Sequence, residues 1–338
     1  MVTIKDVAKK TGFSTTTVSR ALNGHSDVNE ETKHIIESAA KELNYIPNLV
    51  AQSLVTRKSR TIGLLVAELK AESAKDNFMF EVLLGVNNYV AAKNYEMILL
   101  STDTSKQQNK TLNQLVSERN LDGVIIEGLK NDDPYIKEAL NSEIPAVFID
   151  IPLENQITGY VTTDQNKSVK HAIRYFYRLG HRKISFLGGH SHAYVSIERL
   201  TAYKEALEEL NLEFNEDYVY YGDFAEQIAY TNSIQFLLNF PEVTAIFCAS
   251  DLMALGVLKA CKELNINIPK DLSVIGFDNI LLTQYVTPTL TTIAQSPFQI
   301  GQRSAELLLD MIHKTQTATH YVLENRLIVR ESTGKNNH

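Results

Sequence analysis

The sequence has little cysteine, no long apolar run and no glycine-rich phosphate-binding signature. Its two cysteines, Cys248 and Cys261, both sit in apolar stretches. That pattern fits neither a disulfide framework nor a metal-ligand spacing, so a reducing compartment is expected. No apolar run approaches the roughly 18 residues of a membrane span. Met1 to Lys10 has no apolar signal core, so the expectation is a cytoplasmic protein with no membrane partner. No Gly-x-Gly-x-x-Gly or P-loop pattern follows a strand candidate, and no cofactor is expected. His190 and His192 have no Cys or carboxylate at metal-ligand spacing. No nucleophile elbow or acid–base pair stands at a recognisable spacing, which argues against an enzyme.

What is present is a long chain of ordinary globular texture. Its 338 residues are 44% hydrophobic and 22% charged, a length that suggests two or three domains. The net charge of −7 is unevenly spread. Residues 1–60 hold nine Lys or Arg against six Asp or Glu, a net +3, which leaves −10 on the remainder. A basic head on an acidic body suits a head that faces nucleic acid.

The head reads as all helix. Thr3 and Asp6 have the spacing of a capping box, and Ile4, Val7 and Ala8 share a face. Gly12 supplies a turn, and Ser14 is a good cap for a second helix with Val18, Ala21 and Leu22 inside. Asn29 caps a third, whose Ile35, Ile36, Ala39 and Leu43 form the expected stripe. Two short helices across a glycine turn are the helix-turn-helix pattern. Pro47 stops the regularity, and Thr56 to Arg60 is a polar, basic linker.

From Thr61 onward, apolar runs alternate with amphipathic helices. Strands are expected at Thr61–Leu69, Tyr95–Asp103, Asp122–Gly128, Ala146–Ile151, Lys183–Gly189, Ala245–Ser250 and Leu272–Asp278. Helices are expected near 78–93, 106–119, 166–179, 197–210, 251–264 and 297–313. Such alternation means mostly parallel sheets covered by helices. It is too long for one unit and restarts near Gly159–Thr163. Two doubly wound lobes with a ligand cleft between them are therefore expected.

The run from Thr3 to Asn23, TIKDVAKKTGFSTTTVSRALN, closely resembles the DNA-binding head of the lactose-repressor/galactose-repressor family. The likeness continues in order through Asn44–Asn48, Ala51–Leu54, Thr61–Leu64, Leu179–Ile184, Ser250–Gly256, Val274–Asn279 and Arg330–Gly334. The resemblance implies an all-α helix-turn-helix head (1–46), a hinge helix and linker (47–60) and an α/β receptor of the periplasmic-binding-protein type (61–334). Lobe one would be about 61–160 plus 291–320, and lobe two about 161–290 plus 321–334. It also implies that the second helix lies in the major groove, with Thr15 and Thr16 toward base edges, Arg20 toward a base or phosphate and Ser19 toward a phosphate. Thr3, Ser14, Asn23, Asn48 and Ala51 complete the implied DNA-contact set. Leu54 stands where the family wedges a leucine between base steps in the minor groove. Thr15–Thr17 fit equally as ordinary helix-start residues.

The same resemblance places an effector between the lobes, near Phe78, Met79, Asp164, Arg199, Ser250, Asp251 and Asp278. Carboxylates and a guanidinium suit a polyhydroxylated ligand, and an aromatic can cover a sugar face. Asp164 and Asp251 each precede a helical pattern and fit equally as helix caps. Arg199 also fits a surface ion pair, and Asp278 a turn. The segment Gly188–Arg199 looks most like maltose-type members, with His190, His192 and Tyr194 as specificity candidates or plain loop residues.

These readings converge on a homodimeric repressor of carbohydrate genes, released from a near-palindromic double-stranded operator by a mono- or disaccharide. The chain ends soon after Gly334, without the extra leucine-repeat helix of tetrameric members. Two other readings stay open: a regulator that binds DNA only with its ligand, and a sugar-binding protein without DNA function.

Overall fold

The computed structural model describes residues 2–23, 27–45, 59–67, 77–103, 107 and 109–336. The chain divides into two units, Met1–Ser59 and Arg60–His338.

The first unit contains α1 (Ile4–Thr11), α2 (Thr15–Leu22) and α3 (Glu30–Glu42). Their starts are set by short polar side chains. The Asp6 carboxylate accepts from the Thr3 N–H and the Thr3 hydroxyl, both at 2.8 Å. Ser14 Oγ accepts from the Thr17 N–H at 3.1 Å, and Asn29 Oδ1 from the Thr32 N–H at 2.7 Å. Each bond from a backbone N–H satisfies a donor that the helix itself leaves unpaired. Gly12, at φ 77°, closes α1. The small core joins Val7, Ala8, Val18, Ala21, Ile36, Ala39 and Ala40, with Ile4, Phe13, Leu22 and Leu43 packed on it. The α3 stripe is rotated from the expected one. Ile35 is 46% exposed, because the inward face follows Ile36, Ala39, Ala40 and Leu43, and Ile35 lies about 100° off that line.

The second unit holds two six-stranded sheets with one winding order. Lobe one contains β1 (Thr61–Ala67), β2 (Glu96–Thr102), β3 (Gly123–Glu127), β4 (Ala146–Ile149), β5 (Thr158–Thr163) and β11 (His320–Leu323). They lie in the order β11-β5-β4-β3-β1-β2, all parallel. Lobe two contains β6 (Ile184–Gly188), β7 (Val219–Tyr221), β8 (Ala245–Cys248), β9 (Ser273–Asp278), β10 (Thr291–Ala294) and β12 (Arg326–Ile328). Their order is β12-β10-β9-β8-β6-β7, parallel except where β12 pairs antiparallel with β10. In doubly wound sheets ligands sit outside the carboxyl ends of the strands.

The helices of this unit are α4 (Phe78–Ala92), α5 (Leu112–Glu118), α6 (Pro134–Asn141), α7 (Gln165–Arg178), α8 (Tyr194–Glu209), α9 (Glu226–Asn239), α10 (Asp251–Glu263) and α11 (Pro297–His313). The chain changes sheets three times: between Thr163 and Gln165, between Ala294 and Pro297, and between Leu323 and Arg326. The sequence reading set these crossings near 160, 290 and 320. They fall three or four residues later because β5, β10 and β11 each finish pairing before the chain leaves.

One helix pair is unusually close. A methyl group at Gly85 of α4 would lie 2.0 Å from the Phe298 carbonyl oxygen of α11, and one at Gly301 of α11 would lie 2.1 Å from the Val82 carbonyl oxygen. Both obstacles are backbone, so no side-chain rotation relieves them. Gly85→Ala is expected to lower stability by about 1–3 kcal/mol, read as a fall in the urea midpoint. An unchanged midpoint would show that the helices separate freely.

Candidate functional site

On the head, α2 has two unlike faces. Val18 and Ala21 are buried, whereas Thr15, Thr16, Arg20 and Asn23 are exposed and Ser19 is half-exposed. Ser14 caps the helix, and the Asn23 side-chain amide donates to Ser19 Oγ at 3.3 Å. The Arg20 guanidinium is paired with the Asp27 carboxylate, both about half exposed. The result is a short helix that presents hydroxyls, an amide and a fixed guanidinium on one accessible side. Asn48, Ala51 and Leu54, and the expected hinge with them, lie outside the described residues.

In the second unit, the carboxyl ends of strands from both lobes meet around Arg199. This side chain, on the second turn of α8, is 3% exposed. Its Nε donates to Gln165 Oε1 at 2.8 Å, and its Nη1 donates to the Ala249 carbonyl just beyond β8. The guanidinium lies 3.7 Å from the centroid of the Phe277 ring. Burial disfavours its charge, while Asp278, Asp150 and Asp251 favour it in that order. Asp150 follows β4 of lobe one, and the other two carboxylates belong to lobe two. Arg199 is thus an interior cation facing three carboxylates, not a surface ion pair.

The carboxylates differ in task. Asp251 is fully buried. It accepts the Thr292 hydroxyl at 2.6 Å and the Ile280 N–H at 2.9 Å. Burial, helped by the Asp278 charge, pushes its pKa well above the usual carboxylate range. Asp251 is the first residue of α10; the cap of that helix is Ser250, whose Oγ accepts from the Met253 N–H at 3.3 Å. Asp251 therefore shapes the turn after β9, where Asp278 has φ 111° and Asn279 φ 61°. Arg330 secures the same turn through Asn279 Oδ1 at 2.7 Å. Asp278 itself accepts from Gln295 Nε2 at 2.7 Å. Asp150 accepts from the Thr162 hydroxyl at 2.7 Å, and burial pushes its pKa upward.

The remaining candidates sit at the edges. Asp164 caps α7, with Oδ1 accepting from the Lys167 N–H at 3.0 Å. Phe78 and Met79 open α4, half-buried against the lobe-one core. His190 is held by Asp223 at 3.1 Å and stands edge-on to the Phe224 ring. The His192 carbonyl accepts from the Asn131 N–H of lobe one at 3.3 Å, and Tyr194 packs on the lobe-one cluster beside Tyr160. The lobes therefore touch at this rim. Sequence reasoning missed Asp150, Thr163, Gln165, Phe277 and Gln295. Asp150 carried the one available signal, a carboxylate directly after a strand. Nothing local distinguishes the two glutamines.

Residues 3–48 match the family described as "Bacterial regulatory proteins, lacI family", and residues 173–333 match a periplasmic binding protein-like domain. The chain is 34% identical over 337 residues to the HTH-type transcriptional repressor PurR of Vibrio atlanticus, covering 99% of each chain. A solved lac repressor dimer, bound to operator and the anti-inducer ONPF, superposes with a TM-score of 0.83 at 26% identity, covering 98% of this chain and 99% of that one. A CelR–cellobiose complex gives 0.76 at 29% identity, covering 98% and 100%. A helix-turn-helix head, a two-lobed α/β sensor and full-length relatives agree: the chain belongs to the lacI family of bacterial transcriptional regulators.

Proposed function

We propose that the chain is a homodimeric transcriptional repressor, released from its operator when a neutral saccharide occupies the cleft around Arg199. The arrangement of charge carries this reading. The Arg199 guanidinium stands beside Asp278 and Asp150, while Asp251 is spent on Thr292 and Ile280 behind them. A neutral polyol can donate hydroxyls to Asp278 and Asp150 and accept from the guanidinium in the same place. Phe78, at the start of α4, is the candidate ring for the apolar face of a sugar. The CelR relative, solved with cellobiose, supports a saccharide of this class. The lac repressor relative, solved as an operator-bound dimer, supports a two-fold operator complex.

The test pairs thermal stability with operator binding. A panel of mono- and disaccharides that includes cellobiose and maltose is expected to contain one that raises the melting temperature. At 100 times its dissociation constant such a ligand adds about 2.7 kcal/mol. The same sugar is expected to weaken the operator gel shift, and Asp278→Ala is expected to abolish both responses. A sugar that strengthens the gel shift would make the ligand a corepressor. A panel with no stabilising member would remove the saccharide reading.

A further inference from the structure

Two charged side chains of the cleft, Arg199 and Asp278, are connected through the protein, and the connection runs through the places where the chain changes lobes. Gln165 Oε1 accepts from Arg199 Nε at 2.8 Å. Gln165 Nε2 donates to Thr163 Oγ1 at 2.8 Å. The Thr163 hydroxyl donates to Gln295 Oε1 at 2.9 Å. Gln295 Nε2 donates to Asp278 Oδ1 at 2.7 Å. Thr163 is 2% exposed and Gln165 6%, so water competes little with the bonds at the Arg199 end, while Gln295 and Asp278 are half-buried.

The polarity of this chain follows from its ends. Arginine can only donate, so the oxygen of the Gln165 amide must face Arg199. Its NH2 then faces Thr163, whose hydroxyl is left to donate its hydrogen bond to Gln295 Oε1. The carboxylate at the far end only accepts, which fixes the Gln295 amide as well. The amide and hydroxyl orientations thus run in one sense, from cation to anion, and each bond polarises the next.

The location gives the chain its consequence. Thr163 is the last residue of β5 in lobe one, and Gln165 the first of α7 in lobe two. Gln295 stands between β10 of lobe two and α11 of lobe one. The Thr163–Gln295 bond therefore ties the first crossing to the second. The third crossing is laced to the first by Asp164 N–H to the Leu323 carbonyl at 2.9 Å and by Asn325 Nδ2 to Ser168 Oγ at 3.0 Å.

We propose that Gln165, Thr163 and Gln295 are positioning residues that link occupancy of the Arg199/Asp278 site to the angle between the lobes. The proposal rests on the reading that the ligand binds there. A ligand that draws on Arg199 or Asp278 alters the ends of a one-directional chain, and the chain's middle is the pivot. None of the three needs to touch the ligand to set its effect.

The test uses the full-length dimer without ligand. Spin labels at Glu143→Cys in lobe one and Glu208→Cys in lobe two, both exposed positions, report the inter-lobe distance by pulsed electron-spin measurement. Native Cys248 and Cys261 are buried, and dilution with unlabelled protein confines each labelled pair to one protomer. Thr163→Val keeps the shape of the side chain and removes the central hydroxyl. It is expected to lower the ratio of closed to open populations about fivefold, the equivalent of one typical hydrogen bond. Thr163→Ser is expected to restore it. Gln295→Leu serves as a second break should Thr163→Val fold poorly. Distance distributions matching wild type in both breaks would overturn the proposal. The ligand reading is checked separately by titrating cellobiose and maltose against Asp278→Ala. Loosened lobes with saccharide binding indifferent to Asp278 would keep the relay and discard the ligand site.

Discussion

Arg20→Ala is expected to reduce operator affinity by roughly 100- to 1,000-fold, while the ligand-induced thermal shift stays unchanged. Arg20 is exposed on the accessible side of α2, opposite the buried Val18 and Ala21. An arginine reading a guanine edge is worth about 1–3 kcal/mol, and a two-fold complex counts it twice. The pairing with Asp27 limits the freedom of the guanidinium before DNA arrives, so less order is lost on binding. The competing role, a phosphate contact, has a different signature. Loss of a phosphate contact lowers the slope of log affinity on log salt by about 0.9 per head and weakens all sequences alike. Filter binding at several salt concentrations, with operator and scrambled DNA, distinguishes the two. Undiminished operator affinity would remove α2 as the reading helix. Because the head core shares no residue with the sensor core, the sensor's response to ligand is expected to survive.

Arg199→Leu is expected to be the most damaging single change in the sensor, costing about 3–5 kcal/mol. The substitution removes the cation and leaves the buried Asp251 and the half-buried Asp150 and Asp278 without it. It also orphans the Ala249 carbonyl and the Gln165 oxygen, each a buried acceptor with its own cost. Arg199→Lys is expected to recover little, since an ammonium cannot fork to both acceptors or stack on Phe277. Urea unfolding of the two variants beside wild type reads the effect, and the saccharide response is expected to vanish in both. A loss below about 1 kcal/mol would remove Arg199 as the charge that holds the carboxylates together.

Much of this architecture was legible before any coordinates. Each predicted strand centre falls inside an observed strand, because the interior strands of a parallel sheet are apolar on both faces. The helix starts that were read correctly carried a short polar cap, as at Ser14 and Asn29. Two elements were passed over although they carried signals, the six-residue β5 and α6 with its Asp133 cap and Pro134; the other missing elements lacked them. β7, β10, β11 and β12 are three or four residues long. α9 mixes exposed Ile228 and Leu238 with buried Ala229, Phe236 and Leu237, so its apolar residues trace no single stripe. Of the residues that gather at the cleft, the motif-bearing Arg199, Asp251 and Asp278 had been singled out in the sequence. The glutamines that connect them were not, because Gln165 and Gln295 lie 130 positions apart and meet only where two lobe crossings run side by side. For the same reason Asp251 was read as a ligand contact or cap. Its actual partners, Thr292 and Ile280, are distant in sequence.

The three crossings also bear on how the chain is made. Lobe one begins first, at Thr61, but its core contains Ile300, Ala305, Leu307, Leu308, Leu309 and Met311 from α11. Its sheet is completed only by β11. A ribosome delivers residues from the amino end, and domains generally fold as their residues emerge. Here that order is interrupted. Each lobe receives five of its six strands in one uninterrupted stretch, β1–β5 and then β6–β10, but lobe one must also wait for α11, the helix that fills its core, and for β11, whose His320 pairs with Tyr160. The earlier half therefore stays without a core helix while most of the later half is made, and both sheets are finished together at the carboxyl end, by β11 and then β12.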